Sequence, residues 1–213
     1  MIISPQRNFI FIHIRKTAGT AVTRAYDKVA LFDDIILGST AHGDRVLEHY
    51  RDRYGLTKHS MLMDLPRVMG LDRVDNAFSF ATVRNPWSWI VSYYTGAQKG
   101  QGERKILEAT QASDFSGFLR SAVVAELARR APQYRYVCDE RGDLAVDLLI
   151  RQETLGEDWA ELCDRLHISG VSLGVENRQT EGDWREFYRS KEDIALVGEL
   201  FARDAEIFGY RFE

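Results

Sequence analysis

Apolar positions fall in short blocks separated by polar turns. Residues 8–14 (NFIFIHI) predict a buried strand, and 19–30 continue as a helix. Residues 43–54 place Val46, Leu47 and Tyr50 at helical spacing, and 60–69 predict another helix with Ser60 as its cap. Residues 77–83 (AFSFATV) predict a second buried strand. It is stopped by Arg84-Asn85-Pro86, and Pro86 suits the first turn of a helix running to about residue 96. The polar, Gly-rich stretch 98–104 (QKGQGER) reads as a loop. Residues 114–129 predict a helix, 134–138 and 144–150 predict strands joined across the Asp139–Asp143 turn, and 156–166 predict a further helix. The last long helix is marked by Ser190 and Asp193 as a capping box and by an apolar stripe of Ile194, Val197, Phe201 and Phe208. Strands interleaved with helices favour an α/β fold with a mainly parallel sheet.

Composition narrows this picture. The 213 residues can bury one sizeable core, and neither a Pro/Gly/Ser-rich linker nor an internal repeat divides them, so a single domain over 1–213 is expected. A net charge of −4 argues against a general nucleic-acid binder, which would be strongly basic. Cys138 and Cys163 stand far apart, in no Cys-x-x-Cys pattern, which gives neither a disulfide framework nor a zinc site. No clustered His/Cys/Asp/Glu pattern implies a metal. The run from Phe9 to Ile14 is too short to span a bilayer, and residues 1–8 lack a basic segment followed by a signal-peptide core. The expectation is a soluble, cytoplasmic protein that engages neither membrane nor nucleic acid.

Two strand-turn-helix units carry the polar chemistry. In the first, Arg15-Lys16-Thr17-Ala18-Gly19-Thr20 follows a strand and precedes a helix, where backbone N–H groups and the helix dipole converge on one spot suited to an anion. Lys16 adds a full charge, and Thr17 and Thr20 add hydroxyls. A solvated turn would have the same composition. In the second unit, Arg84 ends a strand and Ser92 lies two turns into the next helix. A guanidinium fork donates two parallel hydrogen bonds to a phosphate, and a helix-borne hydroxyl can complete the grip. Taken alone, Arg84 could equally be a structural ion-pair partner.

Together the segments resemble a known family. HIRKTAGT (13–20) and VRNPWSWIVSYY (83–94) are similar to the 5′-phosphosulfate loop and the 3′-phosphate segment of sulfotransferases, in the branch of carbohydrate sulfotransferases and bacterial relatives. Weaker likenesses are TKHSMLMDLPRVMG (57–70), LLIRQETL (148–155) and the closing DAEIFGYRF (204–212), which resembles a D-x-x-x-F-G-Y-x-F ending. Arg15 departs from a usual proline, Ala21 from a common serine, and Ser88-Trp89 from a frequent Asp-Arg. The resemblance implies a three-layer P-loop-like fold and the donor 3′-phosphoadenosine 5′-phosphosulfate (PAPS), with residues 15–21 on its phosphosulfate and Arg84 and Ser92 on its 3′-phosphate. It also suggests a carbohydrate or glycan as the hydroxyl acceptor, with a lipid, a small metabolite or a natural product as the alternatives.

Negative charge develops on the oxygen that leaves with the nucleotide, and a fixed cation there lowers the barrier. Lys16 is the candidate. A hydroxyl acceptor must also lose its proton to a positioned base. The resemblance points to His59, with His42, Glu48 and His49 as fallbacks; His13 reads as structural, and Glu153 and Asn177 as supporting residues. Trp87 and Trp89 read as packing beneath the nucleotide segment. Basic residues that a polyanionic acceptor would want, including Arg51, Arg53, Lys58 and Arg67, are present without evidence of a shared face. Two rivals remain at this stage: an ATP- or GTP-dependent kinase, disfavoured by the missing Gly-Lys-Ser/Thr, and a nucleotide-binding regulator without catalysis.

Overall fold

The structure, a computed structural model, describes residues 1–174 and 182–213; Asn177 lies outside them. It divides into two compact units, Met1–Val83 with Arg135–Glu176, and Arg84–Tyr134 with Asn177–Glu213. The chain builds β1 (Ile2–Ser4), β2 (Phe9–Ile12), α1 (Gly19–Asp27), β3 (Ile35–Ile36), α2 (Ala41–Tyr54), α3 (Pro66–Met69), α4 (Leu71–Asn76) and β4 (Phe78–Val83) in the first unit. It continues in the second with α5 (Pro86–Gln98), α6 (Arg104–Gln111), α7 (Phe115–Leu119) and α8 (Ala122–Arg130). It then returns to the first for β5 (Leu148–Arg151) and α9 (Leu155–Arg165), and ends in the second with α10 (Lys191–Leu200) and α11 (Ala202–Phe208).

In the first unit the five strands run in the order β3-β1-β2-β4-β5. The pairs β2/β4 and β4/β5 are parallel, whereas β1 is antiparallel to both its neighbours. The sheet is therefore mixed, not mainly parallel as predicted. The cause is the tight turn over residues 5–8, which allows only a hairpin between β1 and β2, with Asn8 at φ 53°. All four residues of β2 are buried, as expected of a strand covered on both faces. Phe11 stacks on Phe80 at 4.9 Å, and Val22 and Tyr26 of α1 and Trp159 and Leu162 of α9 complete this core.

The second unit is built around α5, which is buried from Pro86 to Ala97 and has no polar face. Trp89 meets Tyr93 and Phe201 edge to face, and the Trp87 indole N–H donates to the Ile194 carbonyl. Both tryptophans are therefore core residues.

Several predicted elements are shorter than their patterns. The 60–69 helix is replaced by a turn at 57–60, a 3-10 turn at Leu62–Asp64 and the short α3, which starts at Pro66 because proline is tolerated only in a helix's first turn. Ser60 caps nothing there; its hydroxyl accepts the Thr57 N–H, and Asp64 accepts the Met61 N–H instead. The 114–129 helix is broken at Arg120–Ser121, where Ser121 caps α8. The terminal helix is broken at Phe201 (φ −120°), and Ser190 forms only half of its box, the Asp193 carboxylate turning to Arg120 and Ser116. The predicted strand at 134–138 is largely a 3-10 turn, and β5 begins only at Leu148. Among the described residues no helix is long and apolar enough to cross a membrane.

Candidate functional site

At the C-terminal end of β2 the chain turns sharply before α1. Lys16 (φ 63°) and Ala18 (φ 67°) both adopt left-handed backbone, unusual for residues with a Cβ, while Thr17 between them does not. Such alternation turns successive N–H groups into one concavity, a nest suited to an anion. Ala18 is also the N-cap of α1 and supplies no side-chain cap. Its carbonyl accepts from Ala21 (2.9 Å) and Val22 (3.4 Å), while the N–H groups of the first turn point out of the helix start.

The loop is tied down from below. The buried Thr17 hydroxyl donates to the Ile14 carbonyl (3.0 Å), so in its contact with Thr82 (2.9 Å) Thr82 is the donor. Thr17 therefore has only its backbone N–H to offer an anion. Thr20 is half-buried, and its hydroxyl accepts from the Lys58 ammonium at 3.4 Å. The Lys58 stem lies across Gly38, where a Cβ would come within 2.8 Å of Lys58 Cδ. Burial lowers the Lys58 pKa from its ordinary value, with Asp44 opposing.

Two histidines stand beside this helix start. His13 is buried, and a Cβ on Gly19 would lie 2.3 Å from its Cδ2 and 2.5 Å from its Nε2, so only glycine lets the ring lie there. Its Nδ1 is buried without a hydrogen-bond partner among the described residues. His59 packs edge to face on His13 at 4.8 Å, and its Nδ1 lies 2.7 Å from the His13 carbonyl. A carbonyl only accepts, so Nδ1 carries the proton and the lone pair sits on Nε2. Burial, helped by Arg15 and Lys58, pushes the His59 pKa down to about 3, leaving it neutral at ordinary pH. Burial likewise holds His13 well below its usual value.

In the second unit Asn85 caps α5, its Oδ1 accepting the Trp87 N–H at 3.0 Å, and Pro86 follows at the first position. Arg84, half-buried, donates from Nε to Ser88 Oγ at 2.8 Å, which sets the plane of its guanidinium. Ser92 is fully buried, and its hydroxyl donates to the Trp89 carbonyl at 2.7 Å.

Residues 1–211 match the profile of the sulfotransferase family. The chain belongs to that family. Membership supports a transferase of sulfuryl groups, and both motif segments lie inside the matched span. No curated protein and no solved structure matches the chain.

For this sulfotransferase the structure brings Arg15, Lys16, Thr17, Ala18, Gly19, Thr20, Ala21 and His59 together in the first unit. The fallback bases are elsewhere: His42, Glu48 and His49 lie on exposed positions of α2, with Glu48 paired to Arg51. Glu153 is exposed just after β5. Sequence reasoning left four residues without a site role. Lys58 reaches α1, and Ser88 holds Arg84. Gln133 and Asp204 are fully buried and hydrogen-bonded in the second unit. Burial pushes the Asp204 carboxyl up to about 7, against two backbone N–H bonds that favour its ionised form. Lys58, Ser88 and Asp204 lie in stretches that carry the family likeness, whereas Gln133 lies in none of them.

Proposed function

We propose that the chain transfers a sulfuryl group from PAPS to a hydroxyl acceptor of the carbohydrate or glycan class. The carrying observation is the 13–20 turn, where a nest, an uncapped helix start and a neutral histidine with its lone pair on Nε2 occur together. The family implies a P-loop-like core, and β2, this turn and α1 are the segment that would correspond to its phosphate loop. Arg15 to Ala21 hold the phosphosulfate through backbone N–H groups, with Lys16 and Lys58 as its cations. Arg84 carries most of the 3′-phosphate recognition, since the Ser92 hydroxyl proton is committed to Trp89.

In the transfer the acceptor oxygen bonds to sulfur as the bond from sulfur to the 5′-phosphate oxygen breaks. The acceptor proton passes to His59 Nε2, and the charge that grows on the departing phosphate is met by Lys16. The product nucleotide is adenosine 3′,5′-bisphosphate.

The test is calorimetric titration with that bisphosphate beside ATP and GTP, without added metal, followed by an acceptor screen with labelled PAPS. Selective bisphosphate binding and label transfer are expected. Preference for ATP or GTP would overturn the reading in favour of a kinase, and bisphosphate binding with no transfer to any acceptor would favour a regulator.

A further inference from the structure

Arg84 lies where the chain leaves β4 and has not yet begun α5, and the side chain of Gln133 bonds both of its backbone groups. The Arg84 N–H donates to Gln133 Oε1 (2.9 Å), and Gln133 Nε2 donates to the Arg84 carbonyl (2.8 Å). Gln133 is in turn held by Asp204, whose Oδ2 accepts the Gln133 N–H (3.0 Å) while Oδ1 accepts the Tyr134 N–H (2.7 Å). Gln133 and Asp204 are both 0 % exposed. The segment after α11 adds a second hold, the Arg211 carbonyl accepting from Asn85 Nδ2 at 2.9 Å.

We propose that Asp204 and Gln133 form a positioning relay that fixes the Arg84 backbone so that its guanidinium meets the donor's 3′-phosphate, an inference that rests on the donor reading above. The relay joins residues far apart in sequence through bonds that end on one functional residue. Ser88 fixes the side chain of that residue and Gln133 its main chain, so the fork is aimed before the nucleotide arrives. Bidentate recognition demands this, because a phosphate's oxygens reward only a correctly placed plane. It also gives the Asp of the closing D-x-x-x-F-G-Y-x-F stretch a reason to be an acid: two backbone N–H groups need acceptors in a site without water access.

The test compares adenosine 3′,5′-bisphosphate with adenosine 5′-phosphate in the full chain. Gln133→Met keeps the side-chain length and removes both bonds to Arg84. It is expected to weaken bisphosphate binding by about tenfold and leave monophosphate binding unchanged. In an Arg84→Ala background the same substitution is expected to cost nothing further, because it acts through that arginine. Asp204→Asn, which keeps one acceptor oxygen, serves as the second variant and should show a smaller loss with the same selectivity. Equal losses for both nucleotides, or no loss in folded Gln133→Met and Asp204→Asn proteins, would overturn the relay while leaving the donor reading intact. A wild-type protein that fails to distinguish the two nucleotides would overturn the donor reading and the relay with it.

Discussion

Lys16 holds a left-handed backbone that costs a residue with a Cβ on the order of 1 kcal/mol, and such strain persists where surrounding contacts enforce it. Here Thr17 enforces it, anchored to Ile14 and Thr82. Lys16→Ala keeps the backbone path and removes the charge, so we expect turnover to fall by about two to three orders of magnitude with a smaller change in bisphosphate affinity. Comparing kcat with the calorimetric Kd separates the two. For His59→Ala the expected fall in turnover is about 10²–10⁴-fold with donor affinity retained. Because the His59 pKa is pushed down to about 3, the acidic limb of the wild-type kcat/KM profile should lie well below the ordinary histidine value; a limb near pH 6.5 would remove His59 as the base. At this scale the turn that carries Lys16 was legible from its place between a strand and a helix, while the roles of Lys16 and His59 are proposals that these variants test. The commitments of the Thr17 and Ser92 hydroxyls were not legible. Thr17's partner Thr82 is 65 positions away, and Ser92 bonds to its own helix, a choice that depends on burial.

Helix α1 begins without a side-chain cap, and its N-cap residue is an alanine in a glycine-favouring conformation. Ala18→Gly relieves that strain but adds freedom to the unfolded chain, and the balance should raise stability by roughly 0.5 kcal/mol. A higher unfolding midpoint in denaturant would show it; a lower one would mean the alanine methyl packs usefully. Elements with strong local marks were the readable ones: β2 and β4 by their apolar runs, and α5 by Asn85-Pro86. The breaks at Pro66, Ser121 and Phe201 were missed because helical spacing continues across them. What ends each helix is a proline ring, a competing serine cap or a backbone excursion. The short β1 and β3 carry too few residues for any period, and they are what makes the sheet mixed.

Across the whole molecule, the buried histidines of the first unit and Asp204 of the second respond to acid in opposite senses. His13 and His59 in the first unit resist protonation when folded, so between about pH 6.5 and about 4 the unfolded state binds more protons, and stability falls as pH falls. Asp204 in the second unit has the reverse sign: its folded carboxyl, pushed up to about 7, keeps a proton that the unfolded chain loses above about pH 4, so its contribution is lost as pH rises. Amide hydrogen exchange corrected for intrinsic rate should show α1 losing protection and α11 gaining it as pH drops through this window. Parallel changes in both would contradict the assignment. The unfinished start of α1 has a consequence in the cell. An anion seated there acts as the missing cap, so loading and folding become linked equilibria, and ligand at a hundred times its Kd adds about 2.7 kcal/mol to the folded state. That is roughly a hundredfold fewer unfolded molecules open to proteases. The protein's lifetime would then follow the supply of its own co-substrate.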